Sequence, residues 1–355
     1  MKVFVGLSGG VDSAVSAALL SAKGGSAFGG KERYDVTGVF IKIWQPEFIE
    51  CTWREDRLDA MRVAAHLGIP FREVDLSAEY KREVVDAMIT EYARGITPNP
   101  DVACNRAIKF GHFLRFALAE GADFVATGHY ARIHNNDLRG RYLMRGADSS
   151  KDQSYFLYTL TQEQLARALF PIGELTKKEV RVLAKKFGLP NAEKPDSQGI
   201  CFLGDVSMEE FLSRFIPLTR GAVLDMQGSQ VGEHAGAALY TIGQRHGFSR
   251  GGDIHSKEHY VVAIDTYANT ITVSRNRLDA ARKEVVLRKT HWINSVQLPL
   301  KAEAQARYRE TPVPLTVEKK GDDVVVTFDS PHIAAAGQSL VLYSGDTCLG
   351  GGIIC

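Results

Sequence analysis

The chain has 355 residues, which at roughly 100–200 residues per domain argues against a single domain and for two or three. Hydrophobic residues make up 45% and charged residues 24%, enough apolar side chain for packed cores, so disorder is excluded as the default state. With 43 basic and 42 acidic residues the net charge is +1; this excludes a protein that coats nucleic acid by overall charge, and any RNA must meet a local patch.

No run of 18 or more apolar residues is present, so no membrane span is expected. The opening Met1-Lys2-Val3-Phe4-Val5 has neither the signal-peptide nor the transit-peptide pattern, and a cytoplasmic protein is expected. Five cysteines (Cys51, Cys104, Cys201, Cys348 and Cys355) are too few for a disulfide scaffold, and none forms a C-x-x-C pair that would suggest a zinc ribbon. No protein-held metal is expected from these residues. In a reducing compartment such cysteines are buried small hydrophobes or reactive thiols.

Residues 3–7 form a short apolar run that predicts a buried parallel strand. Ser8-Gly9-Gly10 is a turn, and Val11 to about Lys23 predicts a helix. Residues 24–34 are Gly-rich and read as a surface insertion. A strand follows at 36–43, a helix at 56–67 closed by Gly68, a strand at 71–74 and a helix from about 77 to 94. After the Pro-bounded loop 95–103, a helix is predicted from Arg106 to 119 and a strand at 123–127 ending at Gly128. Thr176-Lys-Lys-Glu179 is a capping box opening a helix with Val180, Leu183, Ala184 and Phe187 on one face. Lys177, Arg181 and Lys185 mark another face of it, either a phosphate-contacting stripe or a solvated surface. Beyond about residue 215, short alternating runs appear at 259–264, 270–274, 284–287, 313–318, 323–328 and 339–343, with a hairpin signal at Lys320-Gly-Asp-Asp323. The expected fold is α/β: a doubly wound parallel-sheet nucleotide-binding domain over 1–205, a small middle domain over 206–280 and a C-terminal β-barrel over 281–355.

Three strings carry chemistry. Ser8-Gly9-Gly10-Val11-Asp12-Ser13 stands between a strand and a helix. Its glycines let backbone approach a phosphate, the helix N-terminus favours an anion, Ser8 and Ser13 add hydroxyl donors, and Asp12 is a candidate for Mg²⁺ at the phosphates. The string lacks the G-K-[ST] ending of a loop that handles a γ-phosphate. In Thr97-Pro98-Asn99-Pro100-Asp101-Val102-Ala103-Cys104-Asn105, a cysteine just before a helix would have its pKa lowered, with Asp101 near it as an acid or base; an Asp cap beside a buried Cys fits the same residues. In Asp196-Ser-Gln-Gly199-Ile-Cys201-Phe, the residues alone favour a buried strand with a core cysteine. His129, after Thr127-Gly128 at a strand end, is a nucleotide contact or a structural histidine.

The six-residue string resembles the pyrophosphate loop of the adenine nucleotide α-hydrolase superfamily. In chain order, GLSGGVDS (6–13), TPNPDVACN (97–105), ATGHYAR (126–132), KDQSYFLYTL (151–160), DSQGICF (196–202) and CLGGGII (348–354) together resemble the tRNA-specific 2-thiouridylase family over essentially the whole chain. The resemblance implies a sulfurtransferase acting on the wobble uridine of tRNA. It implies that ATP adenylates the uracil C2 oxygen and that a persulfide on Cys201 delivers sulfur. Cys104 is implied as the partner thiol, through a transient disulfide with Cys201, and Asp101 as the acid or base. ATP is implied to be held by Gly6, Leu7, Ser8, Gly9, Gly10, Val11, Asp12, Ser13, Ile41 and Gly128, with Mg²⁺. The target base is implied to lie against Asn99, Pro100 and Asp101, and tRNA against Lys151, Asp152, Gln153, Arg307 and Tyr308. For Arg307 and Tyr308 the residues alone favour an exposed strand pair. The resemblance further implies a monomer supplied with sulfur by a cysteine desulfurase or a small sulfur carrier. The insertion at 24–34 and a weakly acidic stretch at 45–55 depart from the family pattern.

Three other readings compete. Another pyrophosphate-loop synthetase would adenylate its substrate without needing paired cysteines. A [4Fe–4S] protein could ligate a cluster through Cys104, Cys201 and Asp101. A non-catalytic tRNA-binding module would have no need of the pyrophosphate loop.

Overall fold

The computed structural model describes residues 1–21, 34–48, 53–136, 140–196, 206–250 and 258–355. Cys201 and Gly199, Cys51 and nearly all of the 24–34 insertion lie outside them.

The N-terminal sheet is wholly parallel, with spatial order Phe71–Asp75, Asp35–Lys42, Lys2–Gly6, Phe124–Ala126 and Ala168–Leu169. Its central strand is buried on both faces, which is why it reads as a continuous apolar run and not as an alternation. Helices Val11–Leu20, Trp53–Leu67 and Lys177–Lys186 pack on one face through Val15, Ala60, Val63, Val180 and Ala184. The other face carries two long helices. One runs through Ser77–Tyr80, a π-helical Lys81–Val85 and Asp86–Ala93. The second runs through Pro100–Cys104, a π-helical Asn105–Phe113 and Leu114–Ala119. Phe110, Phe113, Tyr80 and Met88 fill the space beneath them.

Two expectations are corrected here. The helix predicted to start at Arg106 begins at Pro100, because Asn99 caps it and Pro100 takes the first position, where the missing N–H costs nothing. The helix predicted to reach Lys23 ends at Leu20, with Ser21 already extended. The capping box at Thr176 is formed in both directions: Thr176 accepts from the Glu179 amide and Glu179 from the Thr176 amide.

The middle region is a five-stranded sheet, Phe248–Arg250, Gln230–His234, Gly221–Leu224, Thr270–Ser274 and Tyr260–Asp265 in spatial order, around Val223, Tyr240, Val261 and Ile271. The C-terminal region closes on itself. Strands Arg282–Trp292, Asp323–His332, Val313–Lys320, Leu300–Gln305, Ser339–Ser344 and Thr347–Ile354 follow one another, and the last pairs back with the first. The Gly350-Gly351-Gly352 run fits this closure: a Cβ on Gly350 would lie 2.0 Å from the His291 carbonyl oxygen, and one on Gly351 2.3 Å from that of Leu340. A hairpin from the N-terminal half, Ala131–Asn136 with Gly140–Arg145, pairs with the barrel strand through Leu143 and Cys348. The alternating-run reading missed this hairpin, because its role is set by a strand two hundred residues away.

Candidate active site

The central strand delivers Ser8 to Ser13 at its C-terminal end, where open parallel sheets place ligands. Gly9 has φ +78°, and a Cβ there would sit 2.5 Å from the Asp56 carbonyl oxygen, so the turn needs glycine. The Ser8 amide donates to Ser13 Oγ at 3.2 Å, and Ser13 Oγ donates to the Gly10 carbonyl at 3.0 Å. Gly10 caps helix Val11–Leu20 without a side chain, so no capping group covers the positive end of that helix. Gly128 lies hard against it: a Cβ would be 2.7 Å from the Ser13 nitrogen. Ile41 flanks Gly6, while Leu7 and Val11 are buried in the core behind the loop. Asn191, absent from the sequence reading, steadies the loop by donating from Nδ2 to the Gly9 carbonyl at 2.8 Å. This arrangement fits the phosphates of a nucleotide.

Asp12 is engaged from two sides. Tyr130 donates its hydroxyl to Oδ1 at 2.8 Å, and Lys177 Nζ reaches both carboxylate oxygens at 2.7 and 2.9 Å. Lys177 also lies 2.8 Å from Asp196, which takes Arg181 at 2.7 Å and Lys151 at 2.9 Å. Burial alone would raise the Asp196 pKa; the hydrogen bonds and charges of Lys177 and Lys151 outweigh it and hold the carboxyl well below the carboxylate range. Burial and the neighbouring Asp12 push the Tyr130 phenol far up. No group of three or more His, Cys, Asp or Glu among the described residues is arranged to hold a metal ion. With Lys177 and Tyr130 on its oxygens, Asp12 does not fit the ready Mg²⁺ ligand expected from sequence. The basic face of helix Lys177–Lys186 is likewise neither a free phosphate stripe nor a plain solvated face. Lys177 and Arg181 turn inward, Lys177 to Asp12 and Asp196, Arg181 to Asp196 and the Ala192 and Lys194 carbonyls, and Lys185 pairs with Glu193.

Asn99 caps the second helix by accepting from the Val102 amide at 3.2 Å. Asp101 stands in the first turn and Cys104 at its end, buried at 7% exposure. The cysteine is therefore inside the helix and not ahead of it, so the direct lowering of its pKa by a helix N-terminus no longer follows from position. Burial pushes the Asp101 carboxyl up, and the Lys109 charge opposes this only in part. Thr127, Gly128 and His129 bring a second polar group to the same place. His129 is buried and its Nδ1 lies 2.7 Å from Thr127 Oγ1, while its Nε2 lies 3.4 Å from Lys109 Nζ. Sequence reasoning missed Lys109, which carries no motif signal of its own. The described residues hold no disulfide; the expected partner Cys201 is outside them. Cys348 is fully buried in the barrel, and burial pushes its thiol up to about 12, far from reactivity.

The loop leading into Asn99 is gripped by both other regions. Thr97 Oγ1 meets Thr241 Oγ1 of the middle region at 2.9 Å, and Gln338 of the barrel donates to the carbonyls of Thr97 at 2.9 Å and Pro98 at 3.2 Å. The expected tRNA-contacting residues fall into two kinds. Lys151 lies at the mouth of the site on Asp196. Asp152 is turned inward, taking the Gly146 and Ser154 amides and the Arg145 guanidinium, so its carboxylate holds the turn. Gln153 accepts from the Tyr130 amide at 2.9 Å. Arg307 donates to the Ile242 carbonyl, tying barrel to middle region, and Tyr308 packs on Phe156 with ring centroids 4.4 Å apart under Arg309. Arg307 and Tyr308 are thus half-buried at a junction, not an exposed strand pair.

Family models match the chain in three successive segments: a tRNA methyl transferase HUP domain over residues 1–205, a tRNA methyl transferase PRC-barrel domain over 209–275 and an aminomethyltransferase beta-barrel domain over 282–354. The tRNA-specific 2-thiouridylase MnmA of Shigella boydii serotype 18 is 44% identical over 364 aligned positions, covering 99% of this chain and 96% of that one. The protein of the same name from Escherichia coli strain K12 matches with the same identity and coverage. Among solved structures, the U34-tRNA thiolase NcsA from Methanococcus maripaludis with its [4Fe-4S] cluster is 19% identical over 60% of this chain and 62% of that one, at a TM-score of 0.36. The NMN synthetase from Francisella tularensis is 17% identical over 59% of this chain and 71% of that one, at 0.35. Those two likenesses are too distant to bear on the chemistry. Identity at this level over nearly the whole of both chains, together with three successive family models that between them span nearly all of it, decides the assignment: the chain belongs to the tRNA-specific 2-thiouridylase family.

Proposed function

We propose that the chain is a tRNA-uridine 2-sulfurtransferase, which activates the C2 oxygen of the wobble uridine with ATP and replaces it by sulfur. The observation that carries this reading is the convergence of the uncapped helix start behind Ser8–Ser13 with the helix bearing Asp101 and Cys104, joined through Gly128, His129 and Lys109. A uracil carbonyl is a poor electrophile; transfer of adenylate to its oxygen supplies a leaving group. In the activation step the O2–P bond forms and the α–β bridging P–O bond breaks, with its electron pair leaving on pyrophosphate. The N3 proton passes to Asp101, whose carboxylate burial makes a stronger base than an ordinary one. In the transfer step the terminal sulfur of a Cys201 persulfide attacks C2 and AMP leaves. Cys104 thiolate then attacks Cys201 Sγ, and the S–S electron pair stays with the sulfur now on C2. The Cys104–Cys201 disulfide so formed returns to thiols at the expense of an external dithiol reductant. A cysteine desulfurase or small sulfur carrier reloads Cys201. The wobble base must leave its stack to enter, at a cost of about a few kcal/mol offset by contacts along Lys151 and the Arg307–Tyr308 junction.

The test is product analysis. Incubation with ATP, Mg²⁺, a sulfur donor, a dithiol and tRNA bearing an unmodified wobble uridine is expected to yield 2-thiouridine at that position, with one AMP and one pyrophosphate per sulfur. ADP in place of AMP, or a modified tRNA without sulfur, contradicts the reading.

A further inference from the structure

We propose that Lys109 is a further catalytic residue, a cation set between the nucleotide loop and Asp101 that contacts the α-phosphoryl group as it transfers to the uracil oxygen. The proposal rests on the activation chemistry above and assigns to it a residue the sequence motifs leave out.

Residues Asn105–Phe113 are π-helical, hydrogen-bonded i→i+5, where a regular helix would bond i→i+4. A wider turn stacks residues five apart, so Lys109 is carried toward the face of Cys104 and the first-turn Asp101. In a regular helix, three- and four-residue spacing would have stacked Ala107 or Ile108 there instead. π-Helical segments within α-helices are rare and frequently mark functional sites. The side chain is then aimed by its partner. Lys109 Nζ lies 3.4 Å from His129 Nε2, and His129 Nδ1 lies 2.7 Å from Thr127 Oγ1. A charged ammonium only donates, so His129 must accept at Nε2, carry its proton on Nδ1 and donate to Thr127. Burial, and then the Lys109 charge, hold the His129 pKa well below its ordinary value, which keeps the imidazole in that accepting, neutral form. Phe110 and Phe170 wall the imidazole in, with ring centroids 6.0 and 5.8 Å away.

The chain of contacts ends at the phosphate site. Gly128, between Thr127 and His129, packs against the Ser13 nitrogen at the start of the loop helix. The ammonium is thus tethered beside the turn that touches the phosphate cradle. The Lys109 charge is felt at Asp101 through space, opposing the rise that burial imposes on that carboxyl. A cation there stabilises the charge that builds on the α-phosphoryl oxygens and leaves Asp101 free to take the N3 proton.

The experiment measures tRNA-dependent AMP formation, ATP KM and tRNA affinity for the wild type, Lys109→Met and Lys109→Arg. Lys109→Met is expected to lower AMP formation at saturating substrates by about 10²–10³-fold, with ATP KM and tRNA affinity within about threefold of wild type, and Lys109→Arg to recover part of the loss. If Lys109→Met fails to fold, Lys109→Gln is read by the same criteria. Wild-type rates in the variant, or a loss confined to KM and restored at saturation, overturn the assignment to Lys109. Failure of the wild type itself to form AMP with tRNA overturns the activation reading instead, so the two failures are distinguishable.

Discussion

Under the proposed mechanism, Asp101 is a side chain costly to the fold and useful to the reaction. It sits in the first turn of its helix, where the dipole favours a carboxylate, yet burial raises its pKa above the ordinary 3.8. The folded chain therefore keeps this proton over a pH window in which the unfolded chain has lost it. Stability falls as pH rises through that window, and the loss is complete above the folded pKa. Asp101→Asn removes the penalty while removing the base. The expected outcome is a thermal midpoint at pH 7.5 equal to or above wild type, together with thiolation slowed by about 10²–10⁴-fold. Thermal melts and initial rates on the same preparations check it; a destabilised but active variant would contradict the role given to this carboxyl. Asp196 is the opposite case. Its carboxyl is held low by Lys177 and Lys151, so its contribution is fully present above the ordinary carboxylate range and is lost as pH falls below it.

At the scale of elements, the parallel sheet was legible because its strands are buried on both faces and separated by strong helix signals. Val3–Val5, Gly68 behind Leu67 and the Thr176–Glu179 box are each local features with a local physical cause. What escaped was set by distant partners or by unusual helix geometry. The hairpin of Ala131–Asn136 and Gly140–Arg145 is stabilised by the final barrel strand, and its own sequence alternates weakly. The CLGGGII string is a strand because two neighbours crowd it, although three glycines in a row read as a breaker. The early start at Pro100 was hidden because the Pro-rich stretch looked like loop; Pro at a first helical position preceded by an Asn cap is a start signal. The π turn that orients Lys109 has no composition signature, so this part of the site was illegible from residues alone. The loop Ser8–Ser13, by contrast, declared both its place and its geometry, since Gly9 is required by φ and by contact with Asp56.

Across the whole molecule, the three regions meet at the loop of Thr97 and Pro98, which leads into the helix capped by Asn99. Thr241 reaches it from the middle sheet and Gln338 from the barrel, while Arg307 joins those two regions to each other. The middle and C-terminal regions thus hold the approach to the Asn99-capped helix in place. Gln338→Ala removes the donor to the Thr97 and Pro98 carbonyls and is expected to cost about 1–3 kcal/mol of loop anchoring. The expected readout is a kcat for thiolation reduced by roughly tenfold or more with little change in ATP KM, since Gln338 donates to Thr97 and Pro98 and not to the nucleotide loop. An unchanged kcat would show that the grip is incidental.

The most direct test of the account follows radiolabelled sulfur from a persulfide donor into tRNA with an unmodified wobble uridine, comparing wild type with Cys104→Ser and Cys201→Ser. The account predicts label in tRNA only with ATP and only when both thiols are present, with Cys104→Ser still able to carry label on the protein at Cys201. Label entering tRNA at wild-type rates in either variant would contradict it.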